Sequence, residues 1–146
     1  MKKTLTTVAI ALAAINANAQ QINLGSVVSA EGYSRTYKTV FEDSIKCTAI
    51  MSDFQDPNNP GYNVETLTTL FSEYVKYVAE NASETVDMKK TIEKVVNGFN
   101  ARLKMESHAN RVKFLNNEFE NCYYTAGLII AEIENKQNIK FEMLDL

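Results

Sequence analysis

The chain has 146 residues and a formal net charge of −3, and 45% of its residues are hydrophobic. This length favours one domain with a core of its own. The negative charge argues against nucleic acid as a partner, because a nucleic-acid-binding surface needs basic groups that displace counterions from phosphates.

The first nineteen residues have the pattern of a secretory signal peptide. Lys2 and Lys3 form a positive start, residues 5–15 are an apolar run, and Ala-Asn-Ala at 17–19 is the small-x-small motif that signal peptidase reads. The run is too short to cross a hydrocarbon core of roughly 30 Å. We therefore expect cleavage after position 19, export to the periplasm, and one helical domain over residues 20–146 with no membrane span.

The mature chain opens with an arm and a first helix. Residues 20–32 are half-apolar and contain two glycines, which favours an extended arm over a helix. From about residue 30 to residue 54 the apolar residues follow the spacing of one helical face. Pro57 and Pro60 then end this helix, because the sequence "QDPNNPGY" is rich in turn signals.

Three further helices follow, and a short tail closes the chain. Asn63 is the expected N-cap of the second helix and Ser83 that of the third. The apolar stripes are Val64, Leu67, Phe71, Tyr74 and Val78; then Met88, Ile92, Val95, Phe99 and Leu103; then Val112, Leu115, Phe119, Cys122, Ala126, Ile129 and Ile133. The tail "IKFEMLDL" alternates with a period of two, so it either pairs with the arm as a short terminal β-ribbon or docks across the helices. The sequence thus predicts an all-α, four-helix bundle-like domain.

The two cysteines continue the apolar stripes of the first and last helices. Cys47 and Cys122 both point inward at the middle of their helices, and two cysteines in an exported chain usually pair. If these helices are neighbours, one disulfide can join them. The alternative is that both thiols are reduced and act as small hydrophobic side chains.

The residues needed for catalysis or for a cofactor are missing from the pattern. His108 is the single histidine and has no recognisable nucleophile or ligand beside it. The acidic pairs Glu42-Asp43 and Glu132/Glu134 fall on faces away from the apolar stripes. We therefore expect no enzyme, no metal and no cofactor.

The tyrosines and the proline loop are the candidates for contact with a protein partner. Tyr33, Tyr37 and Tyr74 fit the bundle core. Tyr77 and Tyr124 fall off the main apolar stripes, and Tyr62 ends the loop. Aromatic residues dominate the energetics of protein interfaces, and a short loop between two helices is already ordered before binding. The predicted partner-binding residues are Asp56, Asn58, Asn59, Tyr62, Tyr77 and Tyr124.

The segments "YSRTYKTVFEDSIKCTAI" and "LNNEFENCYYTAG" resemble the periplasmic immunity proteins that neutralise type VI secretion amidase effectors. The resemblance covers roughly residues 33–130 and includes a cysteine on the first helix and another on a late one. It implies a protein that binds and blocks a peptidoglycan amidase, often as a dimer. In this chain "NCYY" replaces the lysine-cysteine-leucine run of that family. The alternative is a small periplasmic regulator or adaptor, such as a phage-encoded lysis or exclusion factor.

Overall fold

A computed structural model of the chain describes residues 21–61 and 64–137. The predicted signal peptide, Tyr62, Asn63 and the C-terminal tail lie outside these ranges. The elements are β1 (Val27–Ala30), β2 (Tyr33–Thr36), α1 (Tyr37–Asp53), α2 (Glu65–Asn81), α3 (Met88–Met105) and α4 (His108–Gln137). The mostly helical class is confirmed, and within the described ranges no helix is long and apolar enough to cross a membrane.

The segment before α1 is a β-hairpin and not the start of the helix. Strands β1 and β2 pair antiparallel, with Val27 opposite Thr36 and Ala30 opposite Tyr33. Gly32 has φ = 79° in the two-residue turn, a left-handed conformation that glycine adopts without strain. Thr36 then caps α1 by accepting a hydrogen bond from the Thr39 amide at 3.2 Å. The helix predicted from residue 30 therefore begins seven residues later.

The observed two-stranded ribbon joins the arm to residues 33–36. The tail, which we predicted either to pair with the arm or to dock across the helices, lies outside the described residues. The rest of the arm is tied to the end of α2, since the Ile22 amide donates to the Asn81 carbonyl at 2.7 Å and the Ile22 carbonyl accepts from Ser83 at 2.7 Å. Ser83 thus belongs to this bridge. The N-cap of α3 is Asp87, whose carboxylate accepts from the Lys90 amide at 3.1 Å.

Helix α1 packs against each of the other three helices and so forms the centre of the domain. The disulfide between Cys47 on α1 and Cys122 on α4 is confirmed, with a Cα–Cα distance of 5.6 Å. Both cysteines are fully buried. The bond thus joins α1 to α4 through two residues that lie 75 positions apart in sequence.

One acidic side chain lies inside the core, contrary to the sequence prediction. Glu132 on α4 is only 7% exposed and accepts hydrogen bonds from the hydroxyls of Tyr37 and Tyr74, the latter at 3.1 Å. A buried carboxylate is tolerated when such donors replace water. The core placement of Tyr37 and Tyr74 is confirmed, and the solvent-facing placement of Glu132 is wrong because α4 is covered over a wider arc than its main stripe.

Candidate functional site

The loop after α1 is held together by its aspartate and does not present that charge to a partner. Asp56 is 3% exposed. Its carboxylate accepts from the Tyr123 hydroxyl at 2.5 Å, the Asn59 side chain at 3.0 Å and the Asn58 amide at 2.9 Å. The prediction of Asp56 as a surface contact is therefore wrong, since this carboxylate fixes the loop to α4. Asn58 and Asn59 are themselves exposed.

These hydrogen bonds also set the ionisation of the loop carboxylate. Burial of Asp56 raises its pKa, but the bonds from Tyr123, Asn59 and Asn58 outweigh burial and leave the pKa below its ordinary value. Asp56 therefore stays ionised at neutral pH and anchors the loop as an acceptor.

The predicted tyrosines divide into two groups. Tyr77 is 3% exposed and belongs to the core, because α2 is covered by α1, by α4 and by the strand bridge at its end. Tyr62 lies outside the described residues. Tyr124 is 40% exposed on α4, as predicted, and Tyr33, which we expected in the core, is 46% exposed on β2. Tyr33 fits the spacing of the α1 face, but its backbone is extended.

Tyr33 and Tyr124 form a stacked pair on the surface. Their ring centroids are 4.7 Å apart at an interplanar angle of 27°. We call this pair, which joins β2 to α4 at the surface, the tyrosine patch. Stacking restricts both rings, so the patch is preorganised for contact with a partner.

Hydrogen bonding and charge interaction with Tyr33 raise the pKa of Tyr124, and the charge of Glu120 adds to this rise. The Tyr124 hydroxyl therefore remains protonated at neutral pH. Its role at the surface is that of a neutral hydrogen-bonding aromatic side chain.

A network centred on Arg35 positions the hairpin that carries Tyr33. Residues 33 and 35 share one face of β2, so both face α4. Arg35 Nη1 donates to Asp43 Oδ2 at 2.9 Å and to Thr125 Oγ1 at 2.8 Å. Arg35 Nη2 donates to Asn121 Oδ1 at 2.9 Å. One guanidinium thus joins β2, α1 and α4 and fixes the tyrosine patch above them.

A second cation completes the network. Lys46 pairs with Glu118 at 2.9 Å and lies 3.8 Å from Asp43. Burial and the charge of Glu118 hold the pKa of Asp43 above its ordinary value, although Lys46 and Arg35 lower it. Because the charges lose part of their hydration, the network contributes more to geometry than to stability.

A second surface feature is an apolar groove between α1, α2 and α3, with a volume of about 320 Å³. It is lined by aliphatic and hydroxyl side chains: Ile45, Thr48, Ala49, Ser52, Ser72, Val75, Ile92 and Val96. The lining combines aliphatic side chains with three hydroxyl groups and contains no ionisable side chain.

The described residues contain no group of three or more histidine, cysteine, aspartate or glutamate side chains that could hold a metal ion. His108 is exposed at the first residue of α4. The chain matches no protein-family model, no curated protein and no solved structure.

Sequence reasoning predicted the exposure of Tyr124 but missed the exposure of Tyr33 and the network of Arg35. The available signal was Gly32, a turn-forming residue between two short segments of mixed polar and apolar residues. Once residues 33–36 are read as a strand, Tyr33 and Arg35 share one face.

Proposed function

We propose that this chain is exported to the periplasm and binds a protein that it blocks, in the manner of the immunity proteins of type VI amidase effectors. The observation that carries the proposal is the tyrosine patch, an exposed aromatic pair fixed over the Arg35 network. The partner is a peptidoglycan amidase whose active-site cleft receives Tyr33 and Tyr124.

The composition of the patch supports protein recognition. Tyrosine supplies a large amphipathic contact area at a low cost in conformational entropy. Both rings are substantially exposed, at 46% for Tyr33 and 40% for Tyr124. Tyrosine is among the residue types that dominate the binding energy at interface hot spots.

The charges beside the patch define the complementary surface. Glu31 lies in the hairpin turn, and Glu120 lies one helical turn before Tyr124 on α4; both are exposed. A basic rim around the partner's cleft would complement these carboxylates and speed association.

The disulfide supports the choice of compartment. Disulfide bonds persist in oxidising compartments such as the periplasm and are rare in the cytosol. The fully buried Cys47–Cys122 bond fits a chain that folds after export.

The test uses cells that direct a peptidoglycan amidase effector to their periplasm, chosen from the neighbouring genes if one of them encodes an exported hydrolase. Co-expression of the full chain should prevent lysis, and calorimetry with the purified proteins should give the affinity. Tyr33→Ala with Tyr124→Ala should weaken binding by about 2 kcal/mol or more, roughly a thirtyfold rise in Kd. Tyr33→Phe with Tyr124→Phe keeps both rings and should retain most of the affinity.

Ser72→Ala, in the apolar groove, is the control and should leave affinity unchanged. Unaltered binding by the double alanine variant, with an unaltered melting temperature, would reject the patch as the site. Failure to inhibit the amidase, combined with capture of a different envelope protein through the same tyrosines, would favour the regulator or adaptor function.

A further inference from the structure

The end of the domain where α3 meets α4 concentrates positive charge. Between residues 94 and 117 the sequence has a single acidic residue, Glu106, against five basic ones: Lys94, Arg102, Lys104, Arg111 and Lys113. All five basic side chains are exposed. This local excess stands out in a chain whose net charge is −3.

The same end exposes large apolar side chains. Met105, the last residue of α3, is 82% exposed, and Val112, in the second turn of α4, is 45% exposed. We call residues 102–113 the basic tip. Cations around exposed apolar side chains are the combination that surface-bound helices use at the headgroup region of a membrane.

The basic tip has a defined conformation. Arg111 Nε donates to the carbonyls of Leu103 and Glu106, each at 3.2 Å, and so closes the connection between the two helices. Arg102 pairs with Glu106 at 3.1 Å. Lys104 has no ion pair with any described residue, so its charge is available to an external partner.

We propose that the basic tip binds the surface of an anionic phospholipid membrane, with Met105 and Val112 among the headgroups and Lys104 and Lys113 on the phosphates. An acidic protein is the competing partner. Methionine and arginine occur at both kinds of surface, so the other residues of the tip discriminate between them. Protein interfaces are depleted in lysine and enriched in tyrosine, tryptophan and phenylalanine, whereas the tip exposes Lys104 and Lys113 and none of these three aromatic residues. The composition therefore favours the lipid surface.

The test is flotation of the purified, disulfide-bonded chain with vesicles. The chain should bind vesicles of phosphatidylglycerol and phosphatidylethanolamine and should bind phosphatidylcholine vesicles far more weakly. Each basic side chain near an anionic leaflet contributes about fivefold in affinity, so Lys104→Gln with Lys113→Gln should weaken binding at least about tenfold. Met105→Ser should weaken it as well, because it removes the inserted apolar group.

Lys89→Gln with Lys90→Gln is the matched control. It removes the same charge at the other end of α3, where Lys90 lies about 21 Å from Lys104 at about 1.5 Å per residue. That distance exceeds the screening length of about 8 Å at physiological salt, so binding should change less than about twofold. An equal loss in the two double variants would overturn the assignment to the tip.

The sequence contains no tryptophan, so a single introduced tryptophan reports on its own position. The emission of Met105→Trp should shift to shorter wavelength on anionic vesicles, while Val27→Trp on exposed β1 should not respond. An equal shift at both positions, or none at Met105→Trp, would overturn insertion of the tip. Binding to a polyglutamate peptide without binding to vesicles would also overturn it, in favour of an acidic protein partner.

Discussion

Replacing Cys47 and Cys122 together by alanine should lower the free energy of unfolding by about 5 kcal/mol. The cross-link spans 75 residues. For a loop of that length the lost chain entropy of the unfolded state corresponds to about 4.5 kcal/mol at 25 °C. Both sulfur atoms are fully buried, so their removal also leaves small cavities that add to the loss. For a domain of this size such a loss is a large share of the total stability.

Urea unfolding of the parent and the variants is the assay, and its design separates the cross-link from the packing. Cys47→Ala alone already breaks the bond, so the second substitution should add only the small packing loss at Cys122. The parent unfolded and refolded in reductant keeps every core atom and loses only the bond. Its stability should therefore lie close to that of the single variant.

The slope of unfolding free energy against urea provides an independent reading. Without the cross-link the unfolded chain is more expanded and exposes more surface, so the slope should increase. A double variant within about 1 kcal/mol of the parent, with an unchanged slope, would refute the view that the bond acts on the unfolded chain.

Glu132→Ala leaves the buried hydroxyls of Tyr37 and Tyr74 without their acceptor and should cost about 3 kcal/mol by urea unfolding, whereas Glu132→Gln, which keeps a carbonyl acceptor, should cost less. Because folding lowers its pKa, Asp56 stabilises the fold above the ordinary carboxyl pKa of 3.8, and this contribution is lost as the pH falls through the lowered value. In Asp56→Asn the melting temperature should therefore depend less on pH in this acidic range. Gly32→Ala, at φ = 79°, should lower the free energy of unfolding by about 1 kcal/mol. Gly127→Ala, at an exposed position of α4, should raise it by about 0.5–1 kcal/mol.

The spacing of apolar residues predicted the helices and their buried faces, because in a helix buried positions recur every three or four residues. The inward positions of Cys47 and Cys122 follow from that repeat, and their pairing was predicted from the expectation that the chain is exported. Tyr33 shows the limit of the method, since it lies four residues before Tyr37 and fits the helical face equally well. The backbone there is decided by the turn at Gly32 and by the cap at Thr36.

The polar contacts of the core could not be predicted from spacing. Glu132 bonds to tyrosines 95 and 58 residues away, and Asp56 bonds to Tyr123 across 67 residues. A carboxylate at the edge of an apolar stripe can either face water or be buried against hydrogen-bond donors. Only the tertiary arrangement of the helices determines which of the two occurs. The same applies to Arg35, whose partners Asn121 and Thr125 lie 86 and 90 residues away.

The tyrosine patch and the basic tip share α4 but face different surroundings. Val112 and Tyr124 are twelve positions apart, which corresponds to about 18 Å along the helix axis and about 120° around it. That separation exceeds the screening length of about 8 Å, so charge substitutions at the tip should leave the electrostatics of the patch unchanged. A domain held at a membrane by its tip would therefore still present Tyr33 and Tyr124 to a partner. We therefore expect charge substitutions at the tip to abolish vesicle binding and to preserve affinity for the amidase. Substitution of the two tyrosines should weaken binding to the amidase and preserve vesicle binding.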